Sequence, residues 1–134
     1  MSSADNKAIM QNIMEALARG DRRPFGEAMA DDFTWVFPGQ GVWSGAFQGK
    51  EVVRRQLLTP LFAQFQDTYT NRAVRFIAEG NLVVVECRGH VTTKRGELYN
   101  NTYCYVCEFA EGKLKTLTEY MDTALAERVL APLP

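Results

Sequence analysis

Cysteine is scarce in this chain: Cys87, Cys104 and Cys107 are all that 134 residues contain. An odd count argues against a closed disulfide framework. Cys104 and Cys107 have C-x-x-C spacing, but on a strand, residues three apart point to opposite faces. Buried free thiols are therefore expected, and a zinc or redox pair is not. Histidine is scarcer still. His90 stands alone, with no H-x-E-type spacing to recruit carboxylates, so no metal site is expected. Glycine-rich phosphate loops are missing too. There is no G-x-G-x-x-G after a strand and no P-loop, so no cofactor is expected.

Charge of either sign is not in surplus. The formal net charge is −1, which leaves no basic excess to neutralise phosphates and argues against a nucleic-acid partner. Basic residues are scattered, without a polybasic run for anionic membranes. Fully apolar stretches last only a few residues, far short of a membrane span. Met1-Ser2-Ser3-Ala4-Asp5 shows no charged and then apolar leader, so cytoplasmic residence is expected. What the chain does have is apolar and aromatic content: 46% hydrophobic residues, with eight Phe, five Tyr and two Trp. That supports one domain over residues 1–134 and leaves aromatics to line a cavity.

Periodicity places the elements. Ile9, Met10, Ile13, Met14 and Leu17 form a stripe at three- and four-residue spacing, which predicts a helix over 4–19 with Ser3 as cap and Gly20 at its end. Asp21 is placed to cap a second short helix to about Met29, with Pro24 in its first turn. A strand follows from Phe33 to Phe37. Residues 38–49 read as a loop with four glycines, in which Trp43 and Phe47 either serve a functional loop or fold back onto the core. Lys50 to Leu58 reads as helix, broken by Pro60, with a further turn through Phe65. Strands are predicted at Arg72–Ala78, Leu82–Thr93, Leu98–Phe109 and Leu114–Met121, joined by short turns into an antiparallel meander. A last helix covers about Ala124–Leu130. The order is α+β, with helices on one face of a curved sheet.

Three segments carry a family resemblance: Phe-Gln-Gly-Lys-Glu-Val-Val at 47–53, Tyr-Asn-Asn-Thr-Tyr-Cys-Tyr at 99–105, and Glu-Gly-Lys-Leu-Lys-Thr-Leu-Thr-Glu-Tyr-Met-Asp at 111–122. The chain resembles the nuclear transport factor two-like superfamily, which includes SnoaL-type polyketide cyclases, ketosteroid isomerase and limonene epoxide hydrolase. The resemblance implies a cone-shaped, cystatin-like fold, its curved sheet and helices enclosing one pocket. It also implies a homodimer. The superfamily hosts enzymes and non-enzymes alike.

Against limonene epoxide hydrolases, the resemblance puts Glu119 where that family has a catalytic aspartate. Glu86 and Arg88 fall where it has an arginine and a second aspartate, in reversed order. Trp35 and Phe37 fall where it has a tyrosine and an asparagine that help hold the water. Ketosteroid isomerase has its general base near the end of the first strand, and here that region reads Phe37-Pro38.

Alternation divides Leu82–Thr93 into an ionisable set (Glu86, Arg88, His90) and an apolar set (Val83, Val85, Cys87, Gly89, Val91). It does not say which set faces in. The resemblance implies that Glu86, Arg88, His90, Asn101, Tyr103, Glu119 and Met121 face the pocket. In that arrangement Glu119 is the general base, Arg88 orients it and Glu86 completes the network. Trp35, Phe37, His90, Asn101, Tyr103 and Met121 would contact the substrate, with Tyr103, Asn101 or His90 donating to a developing oxyanion. The competing reading makes Glu86, Arg88 and Glu119 an ion-pair network that holds the sheet or a dimer contact. Asp122 reads first as the cap of the last helix. The expected function is acid–base chemistry on a small, mostly apolar molecule, as an isomerase, cyclase or hydrolase. The alternative is ligand binding or association without turnover.

Overall fold

The computed structural model describes residues 2–134. Helix α1 spans Ser3–Ala18, and its cap is Ser2, one residue earlier than expected. Ser2 Oγ accepts from the Asp5 amide at 3.1 Å, and the Asp5 carboxylate accepts from the Ser2 amide at 2.9 Å. This reciprocal capping box requires an acid three residues after the cap, and only Ser2 has one. The helix buries Met10, Ile13, Met14 and Leu17. Helix α2, Arg23–Ala28, begins with Pro24 in its first turn and buries Phe25.

Six strands form one sheet: β1 Met29–Phe37, β2 Gly45–Gln48, β3 Thr70–Glu79, β4 Leu82–His90, β5 Thr102–Ala110 and β6 Lys113–Met121. Their order is β2-β1-β6-β5-β4-β3. The meander β3 to β6 is antiparallel throughout, while β1 joins β6 in parallel. Register shifts between Ala73 and Arg75, and between Glu108 and Phe109, add local twist, and such bulges curve a sheet. The concave side carries α1 and the helical run α3 Lys50–Val52, a π-helical turn Val53–Leu58 and α4 Thr59–Phe62. Pro60 lies in the first turn of α4, directly after the π-helical turn, and the chain stays helical to Phe62.

Three further differences from the sequence reading have local causes. The glycine-rich loop contains β2, which pairs antiparallel with β1 and sets Phe47 opposite Trp35. β1 begins at Met29, and Asp32 sits on its exposed face in an ion pair with Lys115 of β6. β5 begins at Thr102 and not Leu98, because the side chain of Asn101 takes over the ladder. Its Oδ1 accepts from the amides of Thr102 at 2.8 Å and Asp122 at 3.1 Å, and its Nδ2 donates to Asp122 O at 3.2 Å. Helix α5, Thr123–Val129, is capped by Asp122, whose Oδ1 accepts from the Leu125 amide. Among the described residues, no helix is long and apolar enough to cross a membrane.

Candidate functional site

On β4 the apolar set faces in. Val83, Val85, Cys87 and Gly89 are buried, while Arg88 and His90 are exposed and Glu86 is half-exposed. The interior beneath the helices is apolar, and burial selects the set that needs no solvation. Glu86, Arg88 and His90 therefore lie on the outer face of the sheet, away from Glu119. Glu86 pairs with Arg75 of β3 at 2.7 Å, and Arg88 Nη1 donates to the Cys87 carbonyl. The expected cluster of two carboxylates around one guanidinium does not form.

Glu119 does turn inward. It shares the inner face of β6 with Leu117, and its side chain enters a cavity of about 120 Å³ between the sheet and the helices. Trp35, Phe37, Tyr103 and Met121 line the same cavity. Asn101 is buried behind the wall, where its Nδ2 donates to Tyr99 Oη at 2.9 Å. Tyr99 forms part of the lining, so Asn101 positions a wall residue and does not itself reach the cavity.

The sheet side of the cavity is aromatic. Trp35 and Phe37 stack with ring centroids 6.0 Å apart, and Tyr105 meets Trp35 edge-on at 6.5 Å. Phe25 of α2 covers Trp35 from the helix side at 5.5 Å. Leu57 and Leu58 of the π-helical turn, with Leu61 and Phe62 of α4, close the helix wall. The widened turn brings successive leucines onto the cavity, and π-helical turns recur at functional sites.

Glu119 is the only carboxylate lining the cavity among the described residues. Trp35 Nε1 donates to its Oε1 at 3.2 Å. Burial raises its pKa to about 8, against a smaller lowering by the indole hydrogen bond. Burial also raises the surrounding phenols, Tyr99 to about 12, and Tyr69, Tyr103 and Tyr105 well above the ordinary tyrosine value. All four remain protonated at neutral pH, as hydrogen-bonding groups and not as bases. Cys87, pushed up to about 12 by burial, is an inert thiol.

Asn71 and Arg22 were not read from the sequence as cavity residues, and Gly89 and Trp43 take parts there that the sequence did not assign. Asn71 of β3 is buried, and its Nδ2 donates to Tyr69 Oη at 3.3 Å and Tyr105 Oη at 3.2 Å. Gly89 lies opposite Asn71, and a Cβ there would stand 2.9 Å from Tyr69 Oη and 3.2 Å from Tyr103 Oη. The bare glycine thus lets two phenol groups converge on the sheet. Trp43, weighed between loop and core, is buried against the cavity with Phe65, Tyr99 and Leu130. Arg22 lies over the Phe62 ring, its guanidinium carbon 3.8 Å from the centroid, and lines the rim. A strand predicted to start two residues earlier would have exposed Asn71 as an inward residue. Arg22 lies in a turn, where no periodicity marks it.

The SnoaL-like domain family model matches residues 10–116. The chain belongs to the SnoaL-like domain family. Among solved structures, an NTF2-like protein of unknown function from Burkholderia pseudomallei K96243 is 24% identical, with a TM-score of 0.80 over 98% of this chain and 99% of that one. A candidate SnoaL-like polyketide cyclase from Jannaschia sp. CCS1 is 15% identical, with a TM-score of 0.78 over 98% and 94%. TerC, co-crystallised with polyporic acid, is 19% identical, with a TM-score of 0.77 over 93% and 97%. The fold these share with the chain is the cystatin-like one. No curated protein matches the chain in sequence.

Proposed function

We propose that this SnoaL-like domain is a cofactor-independent acid–base catalyst for a small, mostly apolar substrate, with Glu119 as the general base. The observation that carries the reading is the isolation of one carboxyl in an aromatic cavity, raised to about 8 and held by one indole N–H. A base is most effective when its pKa lies near the working pH, and burial tunes a glutamate in that direction. Trp35 orients the carboxyl. Tyr103 is a protonated phenol in the same cavity, able to donate to an oxyanion formed when a carbon acid loses its proton. Trp35 and Phe37 supply no pair of groups to fix a hydrolytic water, which favours isomerase or cyclase chemistry over epoxide hydrolysis. The co-crystal of TerC with polyporic acid and the candidate cyclase from Jannaschia support a small-molecule ligand. The free thiols fit a reducing, cytoplasmic setting.

Deuterium wash-in tests the reading. Cyclic ketones and 1,3-diketones incubated with the protein in D₂O should exchange their α-protons faster than buffer alone, and Glu119→Gln should abolish the gain. Wild-type protein that binds such ligands without accelerating exchange would leave ligand binding without turnover as the function.

A homodimer through the outer sheet face belongs to the same proposal. Ile77 of β3, Val84 of β4 and Val106 of β5 align in register across that face, with Val74 and Tyr120 nearby in the exposed set. Ile77, Val74 and Tyr120 are each more than half exposed. Such an apolar band on a sheet face calls for cover.

A further inference from the structure

The cavity has unmatched polar groups besides Glu119, and they define what it takes. Arg22 is the one cation lining it among the described residues. Asp21, the acid beside it, is already engaged: Arg23 donates to both Asp21 oxygens at 3.0 and 3.1 Å. Arg22 is left with an aromatic face beneath it and no carboxylate partner. Its guanidinium is partly desolvated, which lowers its pKa and raises the value of an incoming anion.

Two buried polar atoms are orphaned in the same cavity. The Trp43 indole N–H has no acceptor and Asn71 Oδ1 has no donor. Both residues line the cavity and both are more than nine-tenths buried. Leaving such groups unpaired costs about 1–3 kcal/mol each, so they point to a ligand that completes them. Turning the Asn71 amide over does not remove the orphan, because two phenols engage one amide atom and the other stays free. Trp43 packs in the apolar cluster that Phe62 borders, and Phe62 carries Arg22. Asn71 lies on β3, its amide on Tyr69 and Tyr105, and the Tyr69 ring packs on Phe62 in turn.

Size limits the body of the ligand. An apolar cavity of about 150 Å³ accepts benzene. The volume of about 120 Å³ here is of that order and seats one ring.

We propose that the cavity binds a monocyclic organic acid, its carboxylate held by Arg22 and the Trp43 indole N–H, its ring against Trp35 and Tyr103, and a hydroxyl on Asn71. This rests on the reading of the cavity as the ligand site and names the ligand's chemical class.

Equilibrium binding tests it without any turnover. The probes are 4-hydroxybenzoate, its neutral isostere 4-hydroxybenzamide, and benzoate, measured by calorimetry at neutral pH. The wild type should prefer 4-hydroxybenzoate to the amide by roughly tenfold, as one charge-assisted contact gives. It should also prefer 4-hydroxybenzoate to benzoate severalfold. Arg22→Met should erase the preference for the anion while amide binding is kept. Trp43→Phe, which deletes the N–H and keeps a ring, should weaken the anion severalfold. Equal binding of anion and amide by the wild type overturns the proposal, as does a preference that survives Arg22→Met or a lack of binding to any probe at millimolar concentration. The acid–base reading fails separately, if the wild type does not accelerate deuterium exchange, so the two failures are distinguishable.

Discussion

Trp35 Nε1 donates to Glu119 Oε1 at 3.2 Å, across the parallel pair of β1 and β6. This bond joins the first strand to the last at the one carboxyl of the cavity wall among the described residues. The expected ion-pair network around Glu119 is replaced by a single neutral donor. That difference sets the charge state of the site. A guanidinium would hold the carboxyl ionised, whereas an indole in an apolar cavity leaves it mostly protonated at neutral pH, so the ionised fraction that can act as a base grows as the pH rises toward about 8.

The first prediction concerns stability against pH. The unfolded carboxyl ionises near 4.5, while the folded one keeps its proton to about 8. Between those values the native state binds one more proton than the unfolded state, so the contribution of Glu119 falls as pH rises. It is whole below about 4.5 and lost above about 8. The limiting slope for one proton is about 1.4 kcal/mol per pH unit. Glu119→Gln should remove this slope. Urea unfolding of both proteins from pH 5 to pH 9 should show the variant gaining on the wild type steadily through that window, and parallel curves would refute the buried, protonated carboxyl.

Trp35→Phe separates the hydrogen bond from the packing. The indole N–H lowers the Glu119 pKa, so its loss should move the ionisation midpoint further up. The smaller ring also leaves space beside Phe37 and Tyr105. Loss of part of a buried aromatic side chain costs about 1–3 kcal/mol. A fall in melting temperature with an unchanged midpoint would show that the 3.2 Å bond does not tune the carboxyl.

Glu86 and Arg88 should be dispensable for ligand binding. Both are on the outer face, and the Arg75–Glu86 pair is 63% and 36% exposed, a kind of pair worth at most about 1 kcal/mol. Glu86→Gln and Arg88→Met should leave ligand affinity within a factor of about two. A tenfold loss in either would reopen the inward assignment.

The order of helices and strands was readable because stripes such as Met10, Ile13, Met14 and Leu17 are strongly periodic and buried as a set. Glu119 and Tyr103 were placed inward by the family register, and both are buried. The face of β4 was not. Alternation yields two sets with no sign, and the family register supplied the wrong one, while the chemistry of an apolar interior would have chosen Val83, Val85 and Cys87. β2 was hidden because four glycines in 38–49 outweighed a four-residue strand. Arg22 was hidden for a deeper reason: the contact with Phe62 spans forty residues of sequence and obeys no local period.

The outer face carries the next prediction. Val106 of β5 sits between Val84 and Thr118 in register, at the end of the apolar band that lies nearest the middle of the sheet. An aspartate there places an unpaired charge at the centre of any sheet-to-sheet contact, and such a charge is costly to bury. Light scattering at micromolar concentration should give twice the chain mass for the wild type and the chain mass for Val106→Asp. A wild-type monomer would rule out the dimer directly.

Gly89→Ala probes whether the tyrosine cluster depends on an absent side chain. The methyl group would lie 2.9 Å from Tyr69 Oη and 3.0 Å from the Tyr103 ring. Both phenols are held from other sides, Tyr69 between the rings of Phe62 and Phe65 and Tyr103 against Tyr105. They cannot retreat without disturbing those contacts, and overpacking of this kind costs about 1–3 kcal/mol. The displacement also pulls Tyr69 from the Asn71 amide, so the defect should reach the ligand as well as the fold. Gly89→Ala is therefore expected to lower the melting temperature and to weaken 4-hydroxybenzoate more than Val106→Asp does. A variant as stable and as tightly binding as wild type would mean that the two hydroxyls do not converge on residue 89.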